Sequence, residues 1–284
     1  MGFDIRPLTP HFGVEIVGLD LAQPLSDKDF ERIKRAFFEG AVMVVRDQHI
    51  APADQVRFSR RFGPLQIHVL TQFQLPEEPE VLVLSNDKAP DGTALGFEDA
   101  GRYWHSDLSY EQVPSMATML YAIDIPPAGG DTMFIDMYRA YETLPDATKQ
   151  RIEGRMAVHS YTANYDKNQS RPGARPALTE AQKARLKDVT HPIVRTNEDT
   201  GRKALYISPG FTIAVVGMPD AEGKPLLEEL FAHMLKDEFR YVHKWRPFDY
   251  LCWDNRGTVH HATLYDPTYR RHMHRTTIEG TRPY

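Results

Sequence analysis

Cysteine is almost absent from this sequence. The only thiol among 284 residues is that of Cys252. No intrachain disulfide can form, and zinc sites built from cysteine are excluded because they need at least two thiolates. Any bound metal must therefore be held by histidine and carboxylate side chains. Cys252 lies in an apolar stretch beside Trp253, which favours a small buried apolar residue over a nucleophile.

Long apolar runs and basic clusters are absent too. No stretch approaches the roughly 20 apolar residues of a membrane span. The opening MGFDIRPLTP lacks the basic-then-apolar order of a signal peptide. The net charge is −5, and lysine and arginine do not form the concentrated basic surface that nucleic-acid binding requires. We therefore expect a soluble cytoplasmic protein whose partners include neither membranes nor nucleic acids.

The segments that are present predict one globular domain over residues 1–284. With 41% hydrophobic and 26% charged residues, the composition is that of an ordinary globular protein. Ser26 is a candidate N-cap for an early helix, a second helix is predicted at about 53–62, and a later helix is predicted at about 221–236. Strand patterns dominate the later two thirds and include a strand at 241–245. We therefore predict an α+β fold with a mainly β core.

Two segments are predicted to lie outside this core. Residues 66–103 are mixed in pattern and contain a loop, 86–101, rich in Asp, Gly, Ala and Pro. Long irregular connections in compact domains are usually functional or disordered, so we interpret this segment as an active-site lid. Residues 164–176 are polar and rich in helix breakers, which indicates an exposed excursion rather than a linker between domains.

Candidate metal ligands occur in two distant segments. In WHSD at 104–107, an extended chain would project His105 and Asp107 to the same side. Taken alone, the HxD pattern of His105 and Asp107 is a weak indication, because it occurs often by chance; the alternative interpretation is a surface or hydrogen-bonded histidine. His260 and His261 offer a further imidazole, and two histidines with one carboxylate suit non-haem Fe(II) oxygenases. Neighbouring strand residues face opposite ways, so only one of this pair can join, and spacing does not choose between them.

A pair of arginines follows. Arg271 and Arg275 are four residues apart and would share one face of a strand, opposite His272 and His274. A guanidinium binds a carboxylate through two parallel hydrogen bonds and stays charged when buried, which suits the far end of a dicarboxylate cosubstrate. The alternative interpretation is a solvated basic edge strand.

An ordered set of motifs resembles the taurine dioxygenase and 2,4-dichlorophenoxyacetate dioxygenase group of Fe(II)/2-oxoglutarate oxygenases. The match covers nearly the whole chain, and such an ordered set is highly specific. The motifs are FGPL at 62–65, WHSD at 104–107, GGDT at 129–132, HPIVRT at 191–196, TGRKALYIS at 200–208, WDNR at 253–256 and RRHMHRTT at 270–277.

The resemblance implies a role for each residue of an oxidising centre. It implies that His105, Asp107 and His260 hold Fe(II), and that Thr132 and Arg271 hold the distal carboxylate of 2-oxoglutarate, with O2 as the second cosubstrate. The retained carboxylate ligand implies hydroxylation rather than halogenation.

The resemblance also implies a fold and an assembly. The fold is a double-stranded β-helix, or jelly roll, flanked by helices, with the metal in its open mouth. Relatives are often dimers or tetramers, so we expect a homo-oligomer by analogy.

The substrate implied by the resemblance is a small organic anion. His68 and Phe211 match an anion-contacting histidine and an aromatic pocket position of the taurine-cleaving enzymes. Arg275, which faces the site, contacts either the cosubstrate or the substrate. Arg102 is a further candidate cation, and Tyr165 a candidate apolar wall. Each of these positions also has a structural interpretation, since isolated histidines and aromatic residues more often serve packing than binding.

Three departures argue against taurine itself. Residues 101–103 replace an amide-rich segment, and Thr71 replaces a pocket tyrosine. The stretch 201–245 is closer to the aryloxyalkanoate-oxidising side of the group. A sulfonate, an aryloxyalkanoate or another carboxylic acid is therefore expected.

Two rival functions use the same residues. A jelly roll could bind a small molecule without turnover, and a zinc hydrolase could use the same two histidines and carboxylate to activate water. Neither rival accounts for Thr132 and Arg271 together with the intact triad.

Overall fold

The computed structural model describes residues 2–98, 101–168, 179, 180, 183 and 186–284. Most of the predicted excursion at 164–176 lies outside the described residues. In the described part of the chain, no helix is long and apolar enough to cross a lipid bilayer.

Among the described residues strands outnumber helices, so the predicted mixture of helix and sheet with a mainly β core is confirmed. The helices are α1 (Asp27–Gly40), α2 (Pro52–Arg60), α3 (Met137–Glu142), α4 (Asp146–Ile152), α5 (Tyr161–Asn168) and α6 (Asp220–Met234). The strands are β1 (Asp4–Pro7), β2 (Val14–Val17), β3 (Val42–Val45), β4 (Leu82–Ser85), β5 (Ala117–Asp124), β6 (Thr132–Asp136), β7 (Met156–His159), β8 (Val189–Pro192), β9 (Val194–Thr196), β10 (Lys203–Leu205), β11 (Thr212–Val215), β12 (Arg240–His243), β13 (Tyr250–Asp254), β14 (Thr258–Ala262) and β15 (His272–Ile278).

The largest sheet has seven strands in the order β1-β2-β3-β13-β5-β15-β4. Only the β2–β3 pair in it is parallel. Both faces of its centre are buried, which explains why β3 is an unbroken apolar run. On β3, Val42 and Val44 pack into an inner cluster with Phe134 and Trp253. The alternate residues Met43 and Val45 pack into an outer cluster beneath α1 and α2.

The first helix begins where the sequence predicts. The Ser26 hydroxyl accepts a hydrogen bond from the backbone N–H of Asp29 at 3.1 Å, which satisfies one of the amides left unpaired at a helix N-terminus. On the buried face of α1, Phe30, Ile33 and Phe37 contact the outer cluster. Cys252 is buried in the same cluster, as expected for a small apolar residue.

A three-stranded sheet, in the order β12-β6-β14, carries Thr132 and His260. The predicted strand at 241–245 ends earlier, at His243. The chain turns after it, because Asp249 accepts a hydrogen bond from the backbone N–H of Arg246 at 2.9 Å. This turn places Trp245 outside the strand, against the start of β6.

Candidate active site

A two-way backbone bridge joins the two distant segments that carry candidate ligands. The N–H of His105 donates to the carbonyl of His260 at 3.1 Å, and the N–H of His260 donates back at 2.8 Å. Paired residues of antiparallel chains point to the same side, and the two imidazole centroids are 4.1 Å apart. The ring of His261 packs instead on Trp104, at 5.4 Å. The tertiary register thus brings His260, and not His261, beside His105.

Asp107 completes the cluster. Its Oδ1 lies 3.7 Å from Nε2 of His105, and its Oδ2 lies 3.9 Å from Nε2 of His260. One ligand atom from each residue lies within 4.8 Å of the others, and all three residues are buried. The chain is not extended through this point, contrary to the sequence-based expectation, because Asp107 begins a turn in which Leu108 has φ 57°. The two side chains converge nonetheless.

Neighbouring groups hold the ligand atoms in place. Nδ1 of His105 lies 2.8 Å from the carbonyl of Tyr103, so that nitrogen is the donor and the Nε2 lone pair is left for a metal. The Thr118 hydroxyl donates to Oδ2 of Asp107 at 2.7 Å. The amide oxygen of Asn255 accepts from the Asp107 backbone N–H at 3.2 Å. Support of this kind fixes ligand orientation before a metal binds.

The electrostatics of the cluster suit a divalent cation. Burial lowers the pKa of His105 and holds the pKa of His260 well below its usual value. Burial by itself would raise the pKa of Asp107, but the charge of Arg275 and the two imidazoles bring it below the usual range. Two neutral imidazoles and one carboxylate at neutral pH are the protonation states that metal binding requires.

Of the two predicted arginines, Arg275 lies on the inner side of β15 and Arg271 lies just before that strand. The guanidinium of Arg275 is 3.4 Å from Oδ1 of Asp107. Burial lowers the pKa of Arg271 to about 10, so this group is still charged at neutral pH. Within the described part of the chain no carboxylate pairs with it, and its guanidinium lies 5.8 Å from the ring centroid of Tyr265. Arg271 is thus a half-buried cation without a protein counter-ion among these residues.

The turn before Thr132 approaches Arg271. Gly129 and Gly130 have φ of 74° and 69°, which other residues rarely adopt. A Cβ on Gly129 would lie 2.4 Å from the carbonyl oxygen of Leu264, so only glycine fits there. A Cβ on Gly130 would lie 3.6 Å from Nε of Arg271. Thr132 follows this turn and is buried at the start of β6.

Aromatic side chains form a wall beside His105. The ring of Phe211 is 6.0 Å from His105 and edge-on to it. Tyr110 lies 4.8 Å from Phe211, and Tyr161 stacks near the same ring at 6.3 Å. Tyr165, one helical turn beyond Tyr161 on α5, lies 5.9 Å from it, at the outer end of the wall. These five residues (Tyr110, Tyr161, Tyr165, Phe211 and His105) therefore form one continuous set of ring contacts.

Two other predicted pocket residues, His68 and Arg102, lie near groups other than the candidate metal ligands. His68 lies in a local turn, where its Nδ1 accepts from the backbone N–H of Leu70 at 3.1 Å. Its carbonyl accepts from the side-chain amide of Gln74. Arg102 is close enough to Arg271 that, after burial, its charge contributes to the lowered pKa of that guanidinium.

Four residues of the site were not predicted from the sequence. Tyr110 and Tyr161 join the aromatic wall, while Thr118 and Asn255 orient Asp107. A signal was present for Asn255, which lies inside the WDNR motif. For the other three, only long-range packing brings the side chain to the site.

The chain is similar to known proteins over nearly its whole length. The family described as taurine catabolism dioxygenase TauD, TfdA family matches residues 4–277. The alpha-ketoglutarate-dependent 2,4-dichlorophenoxyacetate dioxygenase of Cupriavidus pinatubonensis is 35% identical over 281 residues, which cover 96% of this chain and 96% of that protein. The (S)-phenoxypropionate/alpha-ketoglutarate-dioxygenase of Sphingobium herbicidovorans is 32% identical, over 98% of this chain and 95% of that protein.

One solved structure is similar to this chain over nearly the whole length of both chains. The crystal structure of AAD-2 in complex with Mn(II) and N-oxalylglycine superimposes with a TM-score of 0.83 and 33% sequence identity, and covers 100% of this chain and 99% of that one. The enzyme class of these relatives uses Fe(II), 2-oxoglutarate and O2, and the donor set of His105, Asp107 and His260 suits that metal. The chain belongs to the TauD, TfdA family and is an Fe(II)- and 2-oxoglutarate-dependent dioxygenase.

Proposed function

We propose that this enzyme hydroxylates a small organic anion and that His105, Asp107 and His260 hold its iron. The observation that carries the proposal is the convergence of three buried ligand atoms within 4.8 Å of one another. One oxygen atom of O2 enters the substrate as a hydroxyl group, and the other enters succinate as 2-oxoglutarate loses CO2. Bound iron supplies the oxygen chemistry, while the protein supplies binding, orientation and charge.

Arg271 and Thr132 are proposed to bind the distal carboxylate of 2-oxoglutarate. Arg271 is a cation with no carboxylate partner in the part of the chain that the structure describes, and the turn leading to Thr132 lies against it. A guanidinium and a hydroxyl together can satisfy both oxygens of a carboxylate. This arrangement supports the dioxygenase over the two rival functions, a zinc hydrolase and a non-catalytic binding protein, which have no use for such a site.

The substrate class is proposed from the aromatic wall and Arg275. The buried ring of Phe211 packs edge-on to His105 and against the ring of Tyr110, and Arg275 provides a positive charge next to Asp107. An anion with an aryl group, such as an aryloxyalkanoate, fits both features better than a small alkyl sulfonate. Two relatives carry names of aryloxyalkanoate-oxidising enzymes. His68, Arg102 and Tyr165 are proposed as outer contacts of the same pocket.

The remaining features of the proposal are inferred partly from the family and partly from the sequence pattern. We propose that residues 1–284 are a single domain with the double-stranded β-helix fold, and that residues 66–103, of which 99 and 100 lie outside the described part of the chain, act as the active-site lid. The protein is proposed to be cytoplasmic and to form a dimer or tetramer.

Anaerobic addition of Fe(II) and 2-oxoglutarate tests the metal and cosubstrate assignments. Only an iron–keto-acid chelate gives a visible charge-transfer band, which a zinc hydrolase and a non-catalytic binding protein lack. We expect the band in the wild type and its loss in Asp107→Ala. A wild type without the band, or a fully active Asp107→Ala variant, would contradict the proposal.

Oxygen consumption across a substrate panel tests the substrate class. The panel contains aryloxyalkanoates, alkyl sulfonates, alkyl sulfates and small carboxylic acids. We expect aryloxyalkanoates to give the highest rate. Phe211→Leu should raise the Michaelis constant for the aryl substrate about tenfold and leave that for the keto-acid cosubstrate unchanged. A higher rate with taurine than with any aryl acid would overturn the substrate class but not the reaction.

A further inference from the structure

Trp245 contacts the site through Thr132. Its indole Nε1–H donates to the Thr132 hydroxyl oxygen at 3.1 Å. Thr132 and Phe134 are two residues apart on β6, so their side chains share a face. On that face Phe134 stacks with the ring of His260 at 6.0 Å. The hydrogen bond from Trp245 therefore ends on the side of the sheet that faces the candidate metal ligands.

The indole leaves the hydrogen of the Thr132 hydroxyl free to donate. A threonine hydroxyl has one hydrogen to donate and two lone pairs to accept with. The N–H of Trp245 uses a lone pair, and no residue in the described part of the chain accepts the hydroxyl hydrogen. A buried hydroxyl in this state favours an acceptor that is not part of the chain. A carboxylate oxygen is such an acceptor, and Arg271 lies against the same turn.

Buried groups beneath Trp245 restrict its movement. Its ring packs edge-on against His243, with centroids 4.6 Å apart at an interplanar angle of 86°. Nε2 of His243 lies 3.2 Å from Oδ2 of Asp249, and both side chains are fully buried. The same carboxylate accepts from Arg46 at 2.6 Å and from the backbone N–H of Arg246 at 2.9 Å. The turn that carries Trp245 is thus fixed at both ends.

We propose that Trp245 is a positioning residue for the 2-oxo acid cosubstrate. Its indole N–H orients the Thr132 hydroxyl so that the hydroxyl donates to the distal carboxylate beside Arg271. The inference rests on the roles proposed above for Thr132 and Arg271, and it adds a residue that touches neither substrate nor cosubstrate.

Calorimetric binding of N-oxalylglycine to the Mn(II)-loaded protein tests the inference without turnover. Trp245→Phe keeps a ring against His243 but removes the N–H donor. We expect it to weaken binding about three- to tenfold, the effect of one hydrogen bond. Thr132→Val should weaken binding at least as much. In the Thr132→Val background, Trp245→Phe should then have no further effect, because the two residues act through one hydroxyl.

The possible outcomes separate the inference from the proposed function. Unchanged affinity in Trp245→Phe overturns the inference. An equal loss in both backgrounds also overturns it, because the indole would then act by packing alone. If the wild type bound N-oxalylglycine with Mn(II) but Trp245→Phe had no effect, only the inference would fail. If the wild type did not bind N-oxalylglycine at all, the proposed cosubstrate site would fail with it. Thermal unfolding of each variant verifies that the fold is retained.

Discussion

Arg275 and Asp107 form a largely buried ion pair inside the candidate site, with a guanidinium nitrogen 3.4 Å from Oδ1 of the carboxylate. The side chains are only 13% and 7% exposed, so solvent screens their interaction weakly. The other side of the guanidinium donates to the Thr277 hydroxyl at 3.2 Å. Arg275 therefore lies where a second anion, beyond the carboxylate of Asp107, can be recognised.

Arg275→Gln is expected to weaken binding of the anionic substrate. A lost hydrogen bond to a charged group corresponds to roughly 10- to 100-fold in affinity, so we expect the Michaelis constant for the substrate to rise by that factor. Arg270→Gln is the matched control, because Arg270 is exposed and its guanidinium pairs with Asp87 instead. Steady-state kinetics measure both effects. An Arg275→Gln enzyme with unchanged Michaelis constants for both substrate and cosubstrate would contradict a binding role.

Thr118→Val is expected to weaken metal binding. The Thr118 hydroxyl donates to Oδ2 of Asp107 at 2.7 Å, and valine has the same shape without that donor. Loss of a group that orients a ligand typically costs 10- to 100-fold in metal affinity. Competition titration with a chromophoric chelator measures the change. Thr190→Val, at an exposed position of β8, is the control, and equal metal affinity in both variants would exclude a role for the Thr118 hydroxyl.

Gly101→Ala is expected to displace His105. Gly101 has φ 74°, and a Cβ there would lie 2.7 Å from Cε1 of His105. Gly92→Ala is a matched control, because Gly92 has φ 86° and no atom lies within 4 Å of its added Cβ. Both variants carry a similar backbone penalty of about 1 kcal/mol. Metal content and activity should fall only in Gly101→Ala. An equal loss of metal content and activity in both variants would show that backbone strain, and not the contact with His105, is responsible.

The buried His159 is expected to make the protein less stable in mild acid. Burial, followed by the charge of His191, lowers the pKa of His159 to about 3 in the folded state. The unfolded chain binds a proton near pH 6.5. The contribution of the neutral His159 side chain to the free energy of unfolding is therefore complete above about pH 6.5. This contribution is lost as the pH falls toward 3, by up to about 1.4 kcal/mol per pH unit.

Urea unfolding of His159→Phe and wild type at several pH values between 7.5 and 4.5 checks this effect. The difference in unfolding free energy between the two proteins should shift in favour of the variant as the pH falls. His11→Gln, at an exposed position, is the control. If the unfolding free energies of His159→Phe and wild type changed in parallel with pH, the prediction would be contradicted.

Local patterns predicted much of the fold. The Ser26 cap and the apolar run of β3 were readable because helix ends and doubly buried strands depend on neighbouring residues. The end of the strand at His243 was not readable. It coincides with a turn in which the Asp249 carboxylate, paired with Arg46, accepts a hydrogen bond from the backbone N–H of Arg246.

The aromatic wall was only partly predictable for a similar reason. Phe211 was identified from its motif context, but Tyr110 and Tyr161 reach it from a turn and from a helix far apart in the chain. Ring contacts of this kind are invisible to periodicity, which describes only which residues share a face of one element.

The sequence by itself determined the chemistry available to this protein. A single cysteine left histidines and carboxylates as metal ligands, and the ordered motifs indicated the family. Spacing alone did not choose between His260 and His261, and the resemblance implied His260. The tertiary structure supplies the physical reason, because the register of the bridge between two distant segments places His260, and not His261, beside His105. The tertiary structure alone also placed Trp245 on the Thr132 hydroxyl, since no local pattern encodes a contact 113 residues apart in the chain.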